Sequence, residues 1–184
     1  MSFDETRAAM IQLVKNASEI SADEFWDKHA QHQQFLLQGG AGGRWNTYYI
    51  KDLIFGVYDL NLDKAIAELQ LQLSFKDLRQ LDLRRISMMY ANCSGVLASG
   101  QNFSEANLEG SLFTDSMLNQ VIFRKANLQG ADFSRSEMSG CDLREACLWH
   151  TDFENCDLTG TDLRGAQMNE HTSFKNAILA DVIQ

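Results

Sequence analysis

The chain has 184 residues, of which 45% are hydrophobic and 22% charged, a composition that fits one globular domain and excludes an intrinsically disordered chain. No uninterrupted apolar run approaches the roughly 18 residues that a membrane-spanning helix needs. With 16 Lys and Arg residues against 25 Asp and Glu, the net charge is −9, which argues against direct binding to nucleic acid or to an anionic membrane surface.

The N-terminal residues and the cysteines indicate the cellular compartment of the protein. Met1–Ile11 contains Asp4, Glu5 and Arg7 and lacks a basic start followed by an apolar stretch, so we expect no signal peptide. Four cysteines are too few for a disulfide scaffold, and they lack CxxC spacing. These features predict a cytoplasmic protein with free thiols.

The first part of the chain is predicted to form a small helical cap. Asp4–Asn16 carries apolar residues at helical spacing, with acidic residues at its start. Ser21 and Glu24 form a capping-box pattern that opens a second helix, which we expect to run to about Leu37. The glycine-rich segment Gly39–Gly43 ends that helix.

The segment after the glycines is predicted to lead into a repeat. Trp45–Leu60 is rich in Tyr, Ile, Phe and Val, which is typical of strands. Leu53 and Tyr58 fall in the five-residue phase of the later repeat, so we predict a degenerate first coil near 46–60. Asp63–Leu69 is predicted to be a short helical insertion.

From residue 76 the sequence divides into nineteen consecutive blocks of five, each with an apolar third residue. The first position is mostly small, with Gln101 as the main exception, and one extra residue intervenes near Glu170–His171. A period of five fits neither a helix nor a strand. It fits a chain that turns a corner every five residues, so that four blocks make one square coil and coils stack about 4.8 Å apart.

Proline is absent from the chain, although an average usage of about 5% predicts roughly nine prolines. A proline has no N–H to donate to a strand ladder, so a chain of stacked strands is expected to exclude it. The composition therefore agrees with the stacked-coil interpretation.

Several blocks, namely ANLEG, ANLQG, CDLTG and TDLRG, match the pattern A(D/N)LXX. In these blocks the sequence resembles the pentapeptide repeat family, and the resemblance covers residues 76–184. It implies a mainly β fold, a right-handed quadrilateral β-helix, here with an N-terminal helical cap. The predicted organisation is a cap over 1–44, a degenerate first coil and lead-in over 45–75, and the β-helix over 76–184.

A square coil predicts that residues twenty apart stack on one wall. One inward column is then Cys93, Phe113, Phe133, Phe153 and, after the extra residue, Phe174. Another column is Leu83, Phe103, Phe123, Leu143 and Leu163. Large apolar side chains stacked in this way fill a narrow interior without voids.

No catalytic constellation is visible, so we expect a protein that is not an enzyme and that binds no cofactor or metal. Gly39–Gly43 follows a helix pattern rather than a strand and lacks the Lys-Ser/Thr of a phosphate-binding loop. His29 and His32 have helical i, i+3 spacing without a third ligand nearby, so we expect them to be hydrogen-bonded or to face solvent.

Cysteines and aspartates of the repeat are interpreted as structural. Cys141 and Cys156 occupy the small inward position, where Cys acts as a small apolar residue, and Cys147 replaces the usual Asp or Asn. The aspartates of the second position are expected to face solvent, without pKa shifts caused by burial: Asp77, Asp82, Asp132, Asp142, Asp152, Asp157 and Asp162.

The family's best-known function is gyrase binding by Qnr-type quinolone-resistance proteins, which resemble B-form DNA in shape and charge. A DNA mimic requires a continuous acidic strip, and no wall of this coil supplies one. The wall through Phe103 carries five acids against six bases, and three of the bases stack as a ladder, namely Arg124, Arg144 and Arg164.

We therefore expect a non-catalytic protein-binding module with an unidentified protein partner. The alternative is a DNA mimic directed at gyrase or topoisomerase. Tyr90, Trp149 and His150 lie on the wall with least charge and are the predicted contact patch, because aromatic residues are enriched at interfaces. Isolated surface residues are an equally good explanation. The arginine ladder is a second candidate contact, and a solvated salt-bridge network is its alternative.

Overall fold

The computed structural model describes residues 9, 11–37 and 71–184 of the chain. Residues 11–15 are helical, β1 spans Ser18–Glu19, α1 spans Ala22–Leu37 and β2 spans Lys76–Asp77. No helix within these described ranges is long and apolar enough to cross a membrane. Three predicted features lie outside the described residues: the glycine run Gly39–Gly43, the degenerate coil near 46–60 and the insertion Asp63–Leu69.

The N-terminal segment joins the coil through both a strand and a helix. β1 pairs in parallel with β2, with Ser18 opposite Lys76. At the start of α1, Ser21 Oγ accepts the backbone N–H of Glu24 at 3.1 Å, which satisfies one of the free donors of the first turn. Phe25 has no exposed surface and belongs to the apolar core of the coil, so α1 packs on that core.

The repeat forms a four-walled solenoid of parallel coils. Single parallel bridges recur every five residues, and each joins a block to the block twenty residues later, as between Asn92 and Leu112. After the extra residue the spacing becomes twenty-one, as between Asp152 and Ser173, because the additional residue is taken up without disturbing the stacking. The predicted square coil is therefore confirmed.

The corners of the coil have a common backbone geometry. From Arg85 to Gly165 the fifth residue of every block has a positive φ, between 56° and 75°. The next residue then donates its N–H to a carbonyl three residues earlier, as Ala126 does to Phe123 at 2.9 Å. Non-glycine residues tolerate this left-handed conformation only at some cost, so the regular ladder must stabilise it.

Two files of phenylalanine fill the interior. In the first file the ring centroids of Phe113 and Phe133 are 5.3 Å apart, and those of Phe133 and Phe153 are 5.5 Å apart, with nearly parallel planes. In the second file Phe103 stacks on Phe123 at 5.5 Å. The files meet edge to face, a favourable arrangement for aromatic pairs. The predicted stacking of these phenylalanines is confirmed.

Small residues of the first position tie successive coils together. The hydroxyl of Ser136 donates to the carbonyl of Phe113 at 2.6 Å, and that of Thr161 donates to the carbonyl of Met138 at 3.0 Å. The exceptional Gln101 follows the same rule with a longer side chain. Its amide nitrogen donates to a carbonyl 23 residues earlier, that of Leu78, at 2.6 Å.

Candidate interaction surface

The arginine ladder is neutralised along its own wall. Arg164 Nη2 lies 2.7 Å from Asp162 Oδ2, and Arg144 Nη2 lies 2.7 Å from Asp142 Oδ2. Arg124 has Ile122 where the other two have an aspartate, and it contacts a carboxylate of the next coil instead. The ladder is therefore a chain of ion pairs rather than a basic stripe.

The same contacts shift the ionisation of the aspartates. The Arg164 side chain, hydrogen-bonded to Asp162, lowers the pKa of Asp162 to about 2. The Arg84 side chain does the same to Asp82, whose pKa also falls to about 2. Hydrogen bonding to the charged form is thus the main cause of these shifts, whereas burial acts in the opposite direction.

The three predicted contact aromatics differ in exposure. Trp149 is 43% exposed and His150 is half-buried, whereas Tyr90 is only 6% exposed. The Tyr90 hydroxyl donates to Glu109 Oε1 at 3.2 Å, and burial raises the pKa of Tyr90 to about 12. The expectation that Tyr90 presents an exposed ring is therefore wrong, because its ring lies against the wall.

His171 joins the candidate surface through the extra residue of the repeat. Its ring stacks on that of His150, with centroids 4.6 Å apart. Asn169 Oδ1 accepts the backbone N–H groups of both residues at 3.2 Å, which holds this corner together. Sequence reasoning missed His171, although the break in the five-residue period marks the place.

The last described coils of the solenoid carry exposed apolar side chains on more than one wall, which we together call the end patch. Each member is between 43% and 46% exposed, and the members are Trp149, Met168, Ile178, Leu179 and Ile183. Sequence reasoning missed Met168 and Leu179 because they occupy the third, core position of their blocks. They lie in the last coil, where a neighbouring coil covers them on one side.

The two histidines of α1 contact the backbone of the first coils. His29 Nε2 donates to the Ser87 carbonyl at 2.8 Å, and His32 Nε2 donates to the Met89 carbonyl at 2.8 Å. Among the described residues, no group of three or more His, Cys, Asp or Glu could hold a metal ion.

The four cysteines are free thiols. Cys141 and Cys156 are buried, and their sulfurs contact the carbonyls of Leu118 and Phe133 at 3.0 and 2.8 Å. Burial raises the pKa of the Cys141 thiol to about 12 and also raises that of Cys93. The Cys93 and Cys141 thiols are therefore protonated at neutral pH.

Residues 102–140 and 136–170 match the family model described as pentapeptide repeats, in eight copies. The resemblance to pentapeptide repeat proteins predicted from the sequence is confirmed over these residues. The right-handed β-helix solenoid is the fold of this family. No curated protein sequence matches the chain.

The chain is also similar to solved pentapeptide repeat structures. A pentapeptide repeat protein of the Arabidopsis thaliana thylakoid lumen is 29% identical, with a TM-score of 0.36. The match covers 52% of this chain and 62% of the Arabidopsis chain, so this chain spans less than two thirds of that protein's length. Rfr23 of the cyanobacterium Cyanothece 51142 is 19% identical, with a TM-score of 0.45, and the match covers 67% of this chain and 94% of Rfr23. QnrB1, a plasmid-mediated fluoroquinolone resistance protein, is 18% identical, with a TM-score of 0.32, and the match covers 56% of this chain and 64% of QnrB1.

Proposed function

We propose that the protein is a non-catalytic, cytoplasmic protein-binding module that engages its partner through the end patch. The observation that carries this proposal is the concentration of exposed Trp149, Met168 and Leu179 at one end of a rigid solenoid. Exposed apolar surface beyond single scattered side chains is typical of protein interaction sites. The stacked His150 and His171 add flat, polar-edged surface next to the tryptophan.

The N-terminal helix supports this proposal by occupying the opposite end. We propose that α1 acts as a cap, because Phe25 joins the core and the helix histidines bond to coil carbonyls. Covered strand edges resist aggregation, whereas uncovered ones recruit other chains. The cap thereby directs association to the C-terminal end.

The test compares two tryptophans of equal exposure at opposite ends. Trp149 is 43% exposed and Trp26, on α1, is 44% exposed. Immobilised wild type, Trp149→Ala and Trp26→Ala are incubated with native cell extract, and bound proteins are quantified by mass spectrometry. We expect at least one protein that wild type and Trp26→Ala retain equally. Once purified, that protein should bind Trp149→Ala at least about tenfold more weakly than wild type. If every retained protein binds both variants equally, the end patch is not the contact.

A DNA mimic that binds gyrase is the second candidate function. Net charge −9 favours it, and so do the carboxylates stacked one coil apart, such as Asp132 on Asp152 and Glu137 on Asp157. The paired arginines Arg124, Arg144 and Arg164 oppose it on their wall. Gyrase supercoiling is measured with increasing micromolar protein, with and without a quinolone. Inhibition or quinolone protection would establish this function, and an unchanged reaction would reject it.

A further inference from the structure

Three arginines in the fourth position of their blocks are held by an aspartate two residues earlier. Arg84, Arg144 and Arg164 each direct Nε and Nη2 at the two carboxylate oxygens of that aspartate, at distances between 2.7 and 3.0 Å. Bidentate pairs of this kind are among the stronger hydrogen-bonded contacts in proteins. These three arginines therefore have a complete carboxylate partner within their own blocks.

Arg124 departs from this arrangement because residue 122 is Ile122 rather than an aspartate. Its Nε and Nη2 both donate to a single oxygen, Glu145 Oε1 of the next coil, at 3.3 and 2.8 Å. The other carboxylate oxygen, Glu145 Oε2, lies 3.6 Å from Lys125 Nζ. Two cations therefore share one carboxylate, and Arg124 lacks the bidentate partner that the other three arginines have.

The excess positive charge of this wall lies at Arg124 and Lys125. Of the six bases and five acids on the described wall, four of each form separate ion pairs, namely Arg84 with Asp82, Arg85 with Glu105, Arg144 with Asp142 and Arg164 with Asp162. The fifth acid, Glu145, faces the two remaining bases. The charge at this point of the wall is therefore positive, although the whole chain carries −9.

An open pocket lies beside these two bases. It has a volume of about 280 Å³ and is lined by Ser104, Glu105, Arg124 and Lys125. Two of the five guanidinium N–H groups of Arg124 are directed at Glu145, which leaves its Nη1 edge for a second acceptor. The ammonium group of Lys125 and the hydroxyl of Ser104 are further donors. Glu105 is held at 3.0 Å by an arginine of the preceding coil, which offsets its charge.

Ile122 places an exposed apolar side chain next to this group of donors. Its side chain is 36% exposed, in a column where the coil before it has Asn102 and the coil after it has Asp142. Apolar surface that excludes water strengthens a neighbouring charge-assisted hydrogen bond. The combination of Ile122 and Arg124 therefore fits an acidic side chain that has an apolar neighbour in its own chain.

We propose that Ile122, Arg124 and Lys125 form a second recognition site, which binds an aspartate or glutamate side chain of a protein partner. The carboxylate bonds to Arg124 and Lys125, and an apolar residue beside it packs on Ile122. One excess positive charge on an acidic chain favours a single carboxylate over a nucleic acid, whose binding needs many bases. The site lies on a different wall from Trp149 and is additional to the end patch.

The first experiment selects the ligand from a displayed library of random peptides, with the full chain as bait. The library is depleted on immobilised Ile122→Asp, which supplies the missing carboxylate within the block and reproduces the second position of the neighbouring coils. It is then selected on wild type. We expect the enriched peptides to carry Asp or Glu next to Leu, Ile, Val or Phe. Failure to enrich any peptide, or enrichment of peptides without an acidic residue, would overturn the proposal.

The affinity of one enriched peptide, made by synthesis, assigns the contact. Arg124→Gln is expected to weaken its binding by at least about tenfold, and so is replacement of the acidic residue of the peptide by its amide. Arg144→Gln is the matched control and should leave the affinity unchanged, because Asp142 already holds that arginine. Equal losses with the two arginine substitutions would contradict the site.

Trp149→Ala distinguishes this site from the end patch. We expect it to leave the affinity of the peptide unchanged. A peptide that loses affinity for Trp149→Ala but not for Arg124→Gln binds the end patch, which would refute this site and support the proposed function.

Competition separates a carboxylate ligand from a phosphate-bearing one. Inorganic phosphate and a short DNA duplex are each added to the complex of the wild type with the peptide. We expect neither to displace the peptide at a concentration equal to that of the peptide. Displacement by the DNA duplex or by phosphate under this condition would assign the site to a phosphate ligand and overturn the proposal.

Discussion

At the scale of single residues, the third position of each block sets the stability of the core. Phe133 has no exposed surface and stacks on Phe113 and Phe153 at 5.3 and 5.5 Å. Phe133→Ala removes those contacts and leaves a cavity in a rigid interior, so we expect it to destabilise the fold by about 3–5 kcal/mol. The shift of the urea unfolding midpoint measures the loss. Ile122→Ala, at a 36% exposed position, is the control and should shift the midpoint little.

Gly95 is required for a reason that sequence alone does not give. Its φ is +67°, and a Cβ there would lie 2.5 Å from a ring carbon of Phe75. Gly100 has a similar φ of +75° and nothing within 4 Å of such a Cβ. Both Gly→Ala changes incur the cost of the left-handed backbone, about 1 kcal/mol. Of the two substitutions, only Gly95→Ala also displaces the Phe75 ring.

We therefore expect Gly95→Ala to lower the thermal midpoint more than Gly100→Ala. Adding Phe75→Ala should remove most of that difference, because the smaller side chain leaves room for the new methyl group. Equal effects of the two glycine substitutions would show that the ring contact is unimportant.

At the scale of elements, Gln101 stabilises the first coils by departing from the repeat consensus. Its amide nitrogen donates to the carbonyls of Leu78 and Leu81 at 2.6 and 2.9 Å, and its Oε1 accepts the N–H of Asn102 at 2.7 Å. Gln101→Ala restores the consensus residue but removes three hydrogen bonds, two of which are buried. We expect destabilisation of about 1–3 kcal/mol by urea unfolding, and a stabilised variant would refute this assignment.

The elements differ in how far the sequence predicts them. The five-residue period predicts the coil and the phenylalanine files, because each inward residue depends only on neighbours one coil away. The docking of α1 depends on contacts 57 or 58 residues apart, such as His32 with Met89 and His29 with Ser87, and no local pattern encodes them. The burial of Tyr90 and the exposure of Leu179 likewise depend on tertiary position.

At the scale of the whole molecule, the paired carboxylates predict how stability depends on acid. Hydrogen bonds from arginine lower the pKa of Asp82 and Asp162 from 3.8 to about 2 and also lower those of Asp77 and Asp142. The unfolded chain therefore binds these protons more readily than the folded one. Their contribution to stability is complete above about pH 4 and is lost as the pH falls through 2.

Circular dichroism during urea unfolding measures this acid dependence of the coil. We expect a steady midpoint down to about pH 4 and a falling one below it, with a shallower fall in Asp162→Asn. A midpoint that rises between pH 4 and pH 2 would contradict the role of the ion pairs.

The stacking of residues twenty apart is the claim on which all surface assignments depend, and a cysteine cross-link tests it most directly. Thr114 Oγ1 lies 3.0 Å from Ser94 Oγ in the coil before it, a spacing that suits a disulfide between adjacent coils. In a Cys147→Ser background, Ser94→Cys with Thr114→Cys should oxidise to one intramolecular disulfide in the native protein, lowering the mass by about 2 Da. Ser104→Cys with Thr114→Cys, ten residues apart on opposite walls, should remain reduced. A reduced first pair, or a cross-linked second pair, would contradict the square coil.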